Sequence, residues 1–127
     1  WYGLLSRESD DPAALNAAVT TFVDAAGRDA SARRGQLRRA IRFTAELYRQ
    51  LARARLAAPR TPDAELATAV DRLASGWSAG SEAAADCVDR CLVALEELDR
   101  NVNPSALIAC WLDDLGRLAA GEPAPLT

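Results

Sequence analysis

"RRGQLRRAIRFTAELYRQLARAR", residues 33–55, decides the fold. It carries eight arginines and one glutamate. Within it Leu37, Ala40, Ile41, Thr44, Leu47, Tyr48 and Leu51 recur at three- and four-residue steps. That period gathers them on one side of an α-helix. Arg38, Arg42, Arg49 and Arg53 fall within about 60° of one another on the opposite side, with Arg34 and Arg39 flanking them. The stretch is therefore read as one long amphipathic helix, opened by a Ser31 cap and running to about Ala57 before "APRTP" stops it.

Working outward, the same punctuation recurs. "SDDPAAL" offers Asp11 as a cap and Pro12 at the first helical position. The helix it opens has the stripe Leu15, Ala18, Val19, Phe22 and Ala26. Thr61 and Pro62 repeat the signal for a helix bearing Leu66, Ala69, Val70, Leu73 and Trp77. The glycine- and serine-rich "SGWSAGS" is a connection, and a fourth helix follows from about Glu82 to Arg100. Asn103 and Pro104 open a fifth, with Leu107, Ile108, Trp111, Leu112, Leu115 and Leu118 on a broad face. The tail "GEPAPLT" is expected to fray.

The expectation is an all-α protein of a single domain, residues 1–127. It is a five-helix domain built on an antiparallel four-helix bundle, the first four helices forming the core and the fifth covering a flank or docking on another subunit. A shift of 51 residues lays Leu15, Val19, Leu37 and Ile41 on Leu66, Val70, Val88 and Leu92. The chain can thus be divided into two related hairpins, 11–57 and 62–102, plus helix 103–120. The competing reading is that any two amphipathic helices align on their stripes.

Charge is strongly segregated. Net charge is −3 overall, yet residues 28–60 carry +8 and residues 61–127 carry −8. Such asymmetry gives the molecule an electrostatic face, used internally or offered to a partner. Every basic residue is arginine. No span approaches the ~20 apolar residues of a membrane helix, so no membrane partner is expected. Three cysteines do not read as a disulfide framework, which points to a cytoplasmic setting.

The chain contains no histidine, which removes the usual zinc ligands and the commonest acid–base residue. Cys87 and Cys91 share a helix face at i,i+4 spacing, but apolar neighbours there mark them as core thiols. No metal and no cofactor is expected, and no catalytic residue is assigned. The one enzyme alternative is a magnesium-dependent phosphohydrolase using Asp86, Asp89, Glu96, Glu97 and Asp99 with Asp113 and Asp114. Arg90 and Arg100, four residues from Asp86 and Glu96, are expected to neutralise much of that patch.

The reading that results is a non-enzymatic protein–protein interaction or regulatory module. Its candidate partner-binding residues are Arg34, Arg38, Arg39, Arg42, Arg49 and Arg53, with Trp111 and Leu112 as an apolar anchor. The partner is a protein with an acidic surface, a second copy forming a homodimer among the choices. Nucleic acid or another polyanion is the alternative, since a basic helix gives a phosphate footprint. No zinc-finger, RRM or basic-zipper pattern accompanies the run, and Tyr48 faces inward, so it gives no stacking platform for a base.

Overall fold

The computed structural model describes residues 12–55 and 62–122. They form five helices: α1 (Pro12–Asp24), α2 (Ala30–Arg55), α3 (Ala64–Ser75), α4 (Gly80–Asp99) and α5 (Pro104–Ala119). No strand occurs among the described residues. The expected cap Asp11 and the C-terminal residues 123–127 lie outside them.

Local chemistry sets the ends. Asn103 caps α5 as expected, its Oδ1 accepting from the Ala106 N–H at 3.1 Å, and Pro104 follows it. Two other caps shift toward carboxylates. Asp29, not Ser31, caps α2 through an Oδ2 that accepts from Ala32 N–H at 3.0 Å. Asp63, not Thr61, caps α3 and accepts from Leu66 N–H at 3.1 Å. A carboxylate both accepts the orphan N–H and sits well at the positive end of the helix dipole. At the far end of α4, Asn101 adopts a left-handed φ of 62°. There Val102 N–H reaches Glu97 O and Asn101 N–H reaches Leu98 O, both at 3.2 Å, which closes the helix in a Schellman arrangement.

The helices assemble in a different order from that expected. α2 packs against α1, α3 and α4, while α5 packs against both α4 and α1. The closed ring is therefore α1–α2–α4–α5, and α3 lies outside it against α2. The reason is the amount of apolar surface to cover. α5 buries Leu107, Ile108, Trp111, Leu112, Leu115 and Leu118, whereas the shorter α3 buries Leu66, Ala69, Val70 and Leu73. A six-residue apolar face needs neighbours on both flanks, and only a place in the ring supplies them.

Two contacts fix the direction of the central pair. Arg34 Nη1 donates to Leu98 O at 3.2 Å, so the start of α2 meets the end of α4. Near the other end, the Tyr48 and Trp77 rings tilt together with centroids 5.9 Å apart, just ahead of α4. α2 and α4 thus run antiparallel, as in an up–down bundle. The stripe of α2 is buried as read, with Leu37, Ile41, Thr44, Leu47 and Leu51 fully enclosed. Thr44 meets its buried polar requirement by donating to Ala40 O at 2.7 Å.

On α4 the core line is Ala84, Cys87, Cys91, Ala94 and Leu98. Val88 and Leu95 are half-buried, and Leu92, which the 51-residue shift lays on the stripe residue Ile41, is 50% exposed. The core line runs through small residues, which let α2 and α4 approach closely, since interaxial distance follows the side chains at the contact. Leu92 lies one residue, about 100°, off that line. α4 and α5 are also joined by Arg90, whose side chain is only 11% exposed. Its Nε donates to Asp114 Oδ2 at 2.6 Å and its Nη1 to Glu97 Oε1 at 3.0 Å.

Candidate functional site

The arginines of α2 divide into three groups by what they touch. Arg34 is half-buried and gives its guanidinium to the last turn of α4 through Leu98 O. Arg38 crosses the same seam to Asp99, Nη2 to Oδ1, at 2.8 Å. These two hold α2 against the negative end of α4, where free carbonyls favour a cation. Arg33, at the first turns of α2, likewise reaches back to Asp24 of α1 at 2.7 Å.

Arg49 forms the second group. Its Nε and Nη2 donate to the two oxygens of Glu46, each at 3.0 Å, and Gln50 Nε2 adds a third bond at 2.9 Å. Burial alone would raise the Glu46 carboxyl. The bonds from Arg49 and Gln50, with the charges of Arg49 and Arg53, hold it below the usual carboxylate range. Arg42, four residues before Glu46 on the same helix, makes no ion pair with it.

Arg39, Arg42 and Arg53 form the third group and are exposed. Among the described residues, no hydrogen bond or ion pair engages Arg39 or Arg42. The three lie on the outer side of α2 over fourteen residue steps, roughly 21 Å at 1.5 Å per residue. In this row Arg39 and Arg42 face solvent with no ion pair among the described residues, while the charge of Arg53 acts on Glu46. Trp111 and Leu112 do not join it. Trp111 is fully buried and Leu112 is 3% exposed, so both belong to the bundle interior of α5 and leave no apolar anchor at that place.

Four of the seven carboxylates expected to compose a magnesium site are drawn into separate ion pairs. Asp99 goes to Arg38, Glu97 and Asp114 go to Arg90, and Asp113 goes to Arg117 at 3.2 Å. Arg90 pairs across to α5 rather than with Asp86. Among the described residues no group of three or more His, Cys, Asp or Glu side chains is placed to hold a metal ion. Cys87 and Cys91 are buried and Cys110 is exposed. Burial pushes the Cys91 thiol up to about 12 even though Trp111 Nε1 donates to its sulfur at 3.4 Å. Burial raises the Cys87 thiol as well, and the neighbouring Cys91 adds to that rise. Neither sulfur is available as a thiolate at neutral pH, which a nucleophile or metal ligand requires.

Two features escaped the sequence reading. One is the exposed pair Leu92 and Val93 on α4, at 50% and 41%. Its signal was present: the two buried cysteines set the phase of α4, and that phase turns Leu92 outward. The other is a shallow open groove between α1 and α5, lined by Ala13, Ala17, Thr20 and Ala109 among others. No single-helix pattern announces such a groove, because two helices distant in sequence make it.

No helix among the described residues is long and apolar enough to cross a membrane. Comparison with protein-family models, with curated proteins and with solved structures finds no match in any of the three.

Proposed function

We propose that the protein is a non-enzymatic interaction or regulatory module whose outer α2 face, Arg39, Arg42 and Arg53, docks on an acidic protein surface. The observation that carries this reading is the solvent-facing row in which Arg39 and Arg42 have no partner among the described residues, while their neighbours Arg34 and Arg38 are committed to α4. A guanidinium recognises carboxylates through a planar pair of donors, and it is weakly hydrated, so it suits an interface better than an ammonium. Glu46 in the middle of the row, bound by Arg49 and Gln50, interrupts the line of free cations that an evenly charged phosphate backbone would follow, and this favours a protein partner.

The test compares the unmodified protein with one carrying Arg39→Gln, Arg42→Gln and Arg53→Gln. All three positions face solvent, so helicity should be unchanged. Affinity capture from the source cells, read by quantitative mass spectrometry, should lose an acidic partner by at least ~10-fold, mostly through slower association. Titration with duplex DNA and folded RNA at about 0.15 M salt runs in parallel. Micromolar or tighter nucleic-acid binding that the substitutions remove would overturn the protein-docking reading.

A further inference from the structure

We infer that the acidic surface met by the arginine row is the α4 face of a second copy of this chain, the two copies forming a two-fold dimer across the α2–α4 seam. This rests on the reading above and names its partner. Leu92 and Val93 stand 50% and 41% exposed in mid-α4, between Asp89 and Glu96, which are also exposed. An apolar pair with an acidic rim fits a basic partner surface. Direct antiparallel pairing of α4 with its own copy is disfavoured, because a crossing centred on Leu92 and Val93 sets Asp89 opposite the partner's Glu96. Like charges facing one another in that way are destabilising.

The α2 row supplies the opposite sign at the right height. α2 and α4 are antiparallel neighbours, joined by Arg34 to Leu98 O and by Arg38 to Asp99. From those contacts each turn along α2 is matched by a turn back along α4. Arg39 is then about level with Glu96, and Arg42 with Leu92. Leu92 and Asp99 are two turns apart and share a side of α4, and Asp99 reaches α2, so Leu92 lies on the flank nearest the seam. A two-fold axis parallel to the helices and lying over that seam carries α2 onto the partner's α4 while keeping every residue at its own height. Arg39 then meets the partner's Glu96, Arg42 and Arg49 flank the level of its Asp89 with Glu46 between them already neutralised by Arg49, and Leu92 meets its own copy near the axis. The contact occurs twice and closes, as a symmetric dimer requires.

Sedimentation velocity on the full chain at about 50 µM and about 0.15 M salt, where screening acts over ~8 Å, should report twice the 13.6 kDa of one chain. Arg39→Glu with Arg42→Glu should weaken association by at least 10-fold, and so should Asp89→Arg with Glu96→Arg. Mixing these two variants should restore a dimer, because both reciprocal contacts then pair opposite charges. Leu92→Asp should also give monomers while circular dichroism stays unchanged. A monomeric unmodified chain, or a dimer that survives both charge reversals, overturns the inference. If the chain is monomeric yet loses a cellular acidic partner on arginine substitution, only the self-association fails. Loss of neither defeats the arginine-row reading as well.

Discussion

Removing the Arg90 guanidinium is the most informative perturbation of the fold. Its side chain is 11% exposed and faces two carboxylates, Asp114 at 2.6 Å and Glu97 at 3.0 Å, that are themselves 23% and 33% exposed. Arg90→Ala leaves those two negative groups close together without their shared counter-charge. Breaking one side of a fully buried pair costs about 3–5 kcal/mol. Here water still reaches the carboxylates, so the expected loss is nearer ~2 kcal/mol. For a domain of this size that is a fall in Tm of roughly 6–10 °C. Urea unfolding followed by circular dichroism measures it, and the slope should stay constant while the midpoint falls. Replacing Arg90, Glu97 and Asp114 together by Met, Gln and Asn should recover most of the loss, because no uncompensated charge remains. A single Arg90→Ala variant within ~0.5 kcal/mol of the unmodified protein would refute the claim that this residue ties α4 to α5.

Thiol accessibility gives a second check: with Cys87 and Cys91 buried and their thiols raised, native protein at pH 8 should react rapidly with Ellman's reagent at one cysteine, Cys110, and at all three only after unfolding. Since the folded values lie above the ordinary thiol value, the two buried groups stay protonated while the unfolded chain's thiols ionise, so stability falls as pH rises above the ordinary thiol range; fast native labelling of all three at pH 8 would contradict the burial. The α4 terminus offers a third, because Asn101 has φ of 62°. Asn101→Gly should be neutral or stabilising by a few tenths of a kcal/mol, whereas Asn101→Val should cost about 1–2 kcal/mol in urea unfolding.

Much of the fold was written in periodicity and punctuation. The α2 stripe from Leu37 to Leu51 is buried at the positions its three- and four-residue steps indicated, and Asn103–Pro104 opens α5 as read. Caps moved by two residues where a carboxylate stood beside a hydroxyl, because both residue types can cap and only the packed helix direction selects one. Which four helices close the ring was less legible. A single stripe reports that a helix must bury a face, and the total apolar area of α5 against α3 decides who gets two neighbours. The 51-residue offset shows the same limit, since it aligns fully buried Ile41 with half-exposed Leu92. Similar spacing does not give similar surroundings when one helix presents cysteine and alanine to its neighbour and the other presents leucine and isoleucine.

The candidate surface depends on that limit most directly. Six arginines on one helix looked equivalent in sequence, and the fold sorts them by whether a carbonyl or carboxylate, from α4 or from Glu46 of α2 itself, comes within reach. Arg34 and Arg38 are claimed because the C-terminus of α4 ends beside the first turns of α2. Arg39 and Arg42, one to four residues further on, lie level with the body of α4, face outward and are left unclaimed. A basic run on a helix is therefore divided by its neighbour's polarity. The cations near the neighbour's negative end become structural, and those beyond it remain available for recognition.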